Sequence, residues 1–504
     1  MLPKKQLNTS NYFRIKSKDI GVAYAINSLL LILCLLWHPA PVNSTDGVYE
    51  FTKHGNATTG VERISDEPRG DCTHCHDEHA SRDGVETPGG PYDYLLFNEN
   101  DNNLCYTNDG TGPCHASAGA NEIYQGSTVY ENSLHSISAD MYWPGPTPSA
   151  RPSSDYGKCL NCHTPHGYED GSGLIPSQTF SREENLCQTC HDGSPASDIQ
   201  SEMTKIYRHP ADDYSGRHNQ SEDGTSSNFG SSNRHAECVD CHNPHYANSD
   251  AITPLAPDAS NRNKGVSGVS VINSMAGSQP SYTYIPPNVG IDYEYQLCFK
   301  CHSSWTIQPG GQPDMAVLFN INNPSYHPVE NQGKNANINP GAFVNGWLPT
   351  YLTYCTDCHT SDNTLVRGPH GSQYNYILKQ NYFASSNSRI MYPDELCFEC
   401  HNYDTYANDS ADLTVKGYSR WNASNGNPAT IGHTRHVDGD NRYPCYACHD
   451  SHASTTKPHL IVTGERSPGL NDYNENPAEL LGEEGGACYP TCHEKETYSV
   501  NYLR

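Results

Sequence analysis

Ten times in this 504-residue chain a pair of cysteines is followed at once by a histidine. Eight copies have the spacing Cys-x-x-Cys-His: Cys72, Cys75 and His76; Cys159, Cys162 and His163; Cys187, Cys190 and His191; Cys238, Cys241 and His242; Cys298, Cys301 and His302; Cys355, Cys358 and His359; Cys397, Cys400 and His401; Cys445, Cys448 and His449. Two are stretched: eight residues separate Cys105 from Cys114-His115, and three separate Cys488 from Cys492-His493. The pairs use 20 of the 21 cysteines, leaving Cys34 in the N-terminal apolar segment. A disulfide framework would account for an even number of thiols, and zinc for Cys-x-x-Cys half-sites. Neither requires a histidine after every second cysteine, in a chain with 26 histidines in all. The spacing is that of c-type haem attachment, in which two thiols form thioethers with the haem vinyl groups and the adjacent imidazole reaches the iron. The expected cofactors are ten covalent haem c groups, with the Cys105/Cys114 site furthest from the pattern.

The sites alternate between two types. In the first, another histidine follows closely: His79, His166, His245 and His452, and His370 after an inserted loop at 360–367. The second is introduced by Leu (Leu104, Leu186, Leu297, Leu396) or by Ala487, and usually lacks the close second histidine. This alternation divides the chain into five tandem two-haem units, 45–150, 151–230, 231–345, 346–430 and 431–504, after a leader at 1–44. Both stretched motifs occupy slots of the second type, which is why they count as haem sites.

A haem iron held by one histidine has an open face, and whether that face is closed separates a carrier from an enzyme. Besides the histidine after each first site, each unit offers one upstream: His54, His135, His209, His327 and either His433 or His436, with His436 taken here. That makes ten candidates, one per iron. His74, His218, His235, His459 and one of His433/His436 are left over, and His209 has His218 and His235 as neighbours that can exchange with it. Methionine, with six copies and none recurring in the repeat, is a poor alternative. All-histidine ligation implies low-spin haems of low potential.

Residues 1–18 are basic, 20–37 apolar, and small residues follow to Ser44, the order of a secretion signal; an uncleaved anchor is the alternative. Without residues 1–44 the chain carries 26 basic and 56 acidic side chains, a formal charge of −30 that disfavours nucleic acid. No later stretch is long and apolar enough to span a bilayer. Only 35% of residues are hydrophobic, and 34 tyrosines contribute to that figure, so the haems are expected to replace much of the aliphatic core. The fold class expected is mostly irregular chain with short helices and few short strands around a chain of stacked haems. The Cys pairs should sit on helical turns, with Glu183-Glu184 and Asp394-Glu395 opening two of them, and 266–272 and 316–321 should be extended.

The alternating Cys-x-x-Cys-His-x-x-His and Leu-Cys-x-x-Cys-His motifs, with His-Pro between them, resemble the doubled-CxxCH multihaem cytochromes, a group that includes outer-surface cytochromes of metal-reducing microbes. The resemblance covers the ten motifs and their flanking histidines but not the loops. It implies bis-histidine haems in close sequence and electron movement across or beyond the cell envelope. The partners it implies are other redox proteins or extracellular acceptors such as metal oxides, with self-assembly into a conductive filament a further possibility. A terminal reductase with one open haem is the enzymatic alternative. No catalytic residue is expected.

Overall fold

The computed structural model describes residues 49–77, 81–82, 85–86, 92–98, 102–106, 114–115, 130, 132–138, 159–163, 165–166, 183–211, 236–306, 312–335, 338–382, 389–422, 432–438, 442–464, 469–475 and 485–500. Among the described residues the chain is, as expected, mostly irregular, with short helices and small antiparallel strand pairs. Among the described residues no helix is long and apolar enough to cross a membrane. The leader at 1–44, His79, His218 and His235 lie outside the described residues.

Two thiols must point to one side of a short turn to grip one planar group, and helical i to i+3 spacing does this. Cys72–His74, Cys159–Asn161, Cys355–Asp357, Leu396–Glu399 and Cys445–Ala447 are 3₁₀ turns, while Glu183–Gln188, Cys238–Cys241 and Glu294–His302 are α-helical. The turns are closed by local side chains: Asp71 accepts from the Thr73 N–H, and Asp240 and Asp357 accept from the N–H of Glu237 and Tyr354. Glu395 precedes its turn and is held by Arg389 at 2.6 Å.

Two expectations fail. Residues 316–321 are not extended: Met315–Leu318 is a helical turn, because the Asp314 carboxylate accepts from the N–H of Ala316 and Val317 and so nucleates it. The last cysteine pair is not on a turn either. Cys488 lies within the strand Gly485–Pro490, opposite Tyr473 and Glu496, in a sheet that orders Leu470–Glu475, Gly485–Pro490, Glu496–Val500 and Trp421–Asn422. Residues 266–272 do contain the expected strand, Gly268–Ile272, paired with Ser281–Ile285.

Two short ladders join segments more than a hundred residues apart. Tyr207–Arg208 pairs with Gly371–Ser372, and Ser325–Tyr326 with Ala453–Ser454. One strand of each ladder runs directly into His209 or His327, and the other leaves directly from His370 or His452. Gly371 lies so tightly under the Glu202 carbonyl that a Cβ there would collide with it, which accounts for the glycine of the Pro-His-Gly sequence.

Among the described residues the buried apolar side chains form several small clusters. Val269, Phe299, Ala316, Phe319 and Val329 make one, with Cys355 packed on it. Met391, Phe398, Ala407 and Val437 make a second beside Cys445, and Ile461, Leu470 and Tyr473 a third beside Cys448 and Cys488. Between them runs a connected cavity of about 3860 Å³.

Candidate haem sites

Each of the ten motif histidines faces one histidine from outside the motifs. The pairs are His76–His166, His115–His54, His163–His245, His191–His135, His242–His370, His302–His209, His359–His452, His401–His327, His449–His433 and His493–His436, with ring centres 5.8–6.5 Å apart. A metal–imidazole bond is about 2.0–2.1 Å and the ring centre lies about 1.1 Å beyond the nitrogen, so two imidazoles sharing one ion place their centres roughly 6.3 Å apart. The spacing therefore fits one iron per pair. Both members of nine pairs line the connected cavity; His76 and His166 stand apart from it.

The pairing crosses the repeat. Histidines of the second site type face the histidine upstream of their unit's first cysteine pair: for His115 and His493 it lies in the same unit (His54, His436), for His191, His302 and His401 at the end of the preceding one (His135, His209, His327). Those of the first type face the histidine that follows the first site of the next unit: His76 meets His166, His163 meets His245, His242 meets His370 and His359 meets His452. In the fifth unit His449 meets His433, of the same unit. His433 and His436 thus both face a motif histidine, where the sequence reading took His436 alone. The ten pairs close without His79.

Backbone carbonyls fix the rings. After a first-type motif the chain returns antiparallel over it: the Nδ1–H of His76, His242, His359 and His449 donates to the carbonyls of Tyr94, Arg262, Tyr376 and His459, at 2.8–3.1 Å. In three of these returns two successive residues take left-handed backbone, Tyr94-Leu95, Tyr376-Ile377 and His459-Leu460, with φ between 55° and 62°. Leu96, Leu378 and Ile461 then bridge to the motif histidine. Left-handed backbone in bulky residues is strained and persists where surrounding contacts enforce it. On the opposite side, the Nδ1–H of His54, His135 and His209 donates to the carbonyls of Pro165, Pro244 and Pro369, each the residue before another facing histidine. His327 does the same to Ser451, before His452, and His436 uses Gly432. The short ladders thus hold two facing histidines side by side. Such carbonyl partners set which ring nitrogen is left to bind a metal.

Burial pushes these imidazoles toward the neutral form that ligation requires: His191, His370, His401 and His449 to about 4, His245 to about 3, and His54, His115, His135, His242, His327, His359, His433 and His436 also downward. Two leftover histidines do other work. Buried His74 accepts from the N–H of Arg63 and Ile64 through Nδ1 and donates through Nε2 to the Pro68 carbonyl. His459 contributes its carbonyl to His449.

The cysteines are equally regular. The N–H of the motif histidine donates to the carbonyl of the first cysteine at 2.9–3.0 Å in seven strict motifs. The stretched site keeps this bond: His115 N–H reaches the Cys105 carbonyl at 3.1 Å despite the eight-residue insertion. Successive sites abut through their thiols. Hydrogen bonding between the thiols of Cys105 and Cys159, Cys298 and Cys355, and Cys397 and Cys445, together with burial, raises the pKa of the first member of each pair. Glu294 lies within 4.8 Å of the Cys298/Cys355 thiols and belongs to this junction.

Sequence reasoning missed the aromatic edges on the facing rings: Tyr49 on His166, Tyr130 on His245 and Phe319 on His452, at 5.6–6.0 Å. A signal existed for two of them, since Tyr49 and Tyr130 each stand five residues before His54 and His135. The returning aliphatic pairs Leu95-Leu96, Ile377-Leu378 and Leu460-Ile461 were legible in the same way.

The family model for the doubled CXXCH motif matches residues 153–196. That segment contains the Cys159–His163 and Cys187–His191 sites, one first-type and one second-type. It carries the covalent haem-binding motif of multihaem c-type cytochromes. No curated protein and no solved structure matches the chain at a significant level.

Proposed function

We propose that the chain is an exported decahaem c-type cytochrome that carries electrons across or beyond the cell envelope to an extracellular or periplasmic acceptor. The observation that carries this reading is the set of ten facing histidine pairs, each containing one motif histidine, at a spacing that fits one iron. Haem iron, when bound, supplies reversible one-electron chemistry. The protein residues do the rest. Twenty cysteines tether the groups in a fixed order, and the abutting thiols keep successive attachment points close. The motif histidines bind one side of each iron and the facing histidines close the other, which denies a substrate the open position that a reductase needs. Burial favours the neutral form of the imidazoles whose pKa it lowers, and backbone carbonyls hold nine of the rings in place. The acidic surface suits a cationic partner or a positively charged mineral as acceptor.

Intact mass of the secreted holoprotein tests the count, with ten haem increments expected. Protein-film voltammetry tests the role. Reversible waves that nitrite, hydroxylamine and sulfite leave unchanged are expected; a catalytic current with any of them would replace the carrier by a reductase.

A further inference from the structure

The angle between the two facing rings follows the type of site without exception. At the first-type sites the planes are nearly parallel: 18°, 17°, 19°, 5° and 20° for the pairs of His76, His163, His242, His359 and His449. At the second-type sites they are crossed: 55°, 79°, 56°, 59° and 43° for those of His115, His191, His302, His401 and His493. The ranges do not overlap. The fifth unit is an internal control: His433 comes from the same unit instead of the next, yet its pair with His449 keeps the small angle.

The anchoring hydrogen bonds differ between the classes in the same way. At four of the five first-type sites, those of His76, His242, His359 and His449, the motif ring is tied to the returning chain. At second-type sites the facing ring is tied to a carbonyl, in all five cases that of the residue before another facing histidine. The orientation is thus built into the repeat by main-chain contacts, of the kind that commonly orient metal-ligating imidazoles.

We propose that the chain holds its irons in two alternating electronic classes, one per site type, set by the crossing angle of the two imidazoles. The proposal rests on the bis-histidine reading above. In low-spin ferric iron the unpaired electron lies in one of two d orbitals that overlap the imidazole π systems. Parallel rings act on the same orbital and split the two, giving a rhombic magnetic signal. Crossed rings act on both, leave them close in energy, and give a strongly anisotropic signal at low field. An electron passing along the array therefore meets the two classes in turn, the second comprising the four Leu-Cys sites and the Ala487-Cys488 site.

The test is low-temperature electron paramagnetic resonance of the fully oxidised holoprotein, with near-infrared magnetic circular dichroism on the same sample to report ligation independently of ring angle. The expected result is bis-imidazole ligation throughout, with rhombic and strongly anisotropic low-spin signals in about equal spin count. His433→Met should remove about a fifth of the rhombic signal and leave the anisotropic one unchanged. Bis-imidazole ligation with a single class of signal overturns the proposal and leaves the ligation reading standing. Absence of the bis-imidazole band overturns both.

Discussion

At Tyr376 the chain holds a bulky residue in left-handed backbone so that its carbonyl meets His359, while the side chain stays 65% exposed. Asparagine tolerates that conformation far better and leaves the carbonyl where it is. Tyr376→Asn should stabilise the holoprotein by roughly 0.5–1 kcal/mol, read as a rise in melting temperature with an unchanged haem spectrum. Glu330 gives a pH-dependent expectation. Burial raises its carboxyl from 4.5 to about 7, against a hydrogen bond from Asn273 that acts the other way. A folded pKa above the unfolded one means that stability is fully present below about 4.5 and is lost as pH rises through 7. Glu330→Gln keeps an acceptor for Asn273 and removes the charge. It should melt higher than the parent at pH 8, by about 1–2 kcal/mol after allowance for solvent screening, and equally with it at pH 4.5. The same gap at both pH values would contradict this. At this scale the sequence was most legible. The cysteines and motif histidines announce themselves by spacing, because attachment chemistry fixes their separation. Tyr376 and His459 did not, because they act through backbone carbonyls and every residue offers one.

Between elements, the repeat proves to be laced rather than beaded. A histidine such as His452 lies three residues after its own motif histidine, His449, yet faces His359 of the preceding unit. Local spacing names it as a ligand candidate but cannot assign its iron, since a short turn points it away from the motif it follows. The assignment depends on a ladder between residues more than a hundred positions apart, Ser325–Tyr326 with Ala453–Ser454. His452→Ala should convert one haem in ten, that of His359, to high spin, visible in the charge-transfer bands of the ferric protein. His79→Ala should leave the spectrum unchanged, because the ten pairs close without it. A high-spin haem in the second variant would show that His79 holds an iron. The expected strand at 316–321 failed for a related reason: its apolar run suits a strand or a short helix, and Asp314 decides for the helix by capping it.

For the whole molecule, the low hydrophobic fraction, the separate apolar clusters and the cavity of about 3860 Å³ describe a chain whose interior is meant for something other than its own side chains. Chain made without haem attachment should show no cooperative melting transition by circular dichroism, while the holoprotein melts cooperatively. The low hydrophobic fraction agrees with the small, separate apolar clusters among the described residues. It could not foretell that Cys488 of the last pair would join a four-stranded sheet, because that depends on strands contributed by 421–422 and 470–475. The central claim is that each of ten irons is shared by two imidazoles. Its most direct test is quantitative near-infrared magnetic circular dichroism of the ferric holoprotein, normalised to protein concentration. The account predicts ten bis-imidazole irons per chain and no high-spin band. A smaller bis-imidazole count, or a high-spin band in the unmodified protein, would contradict it.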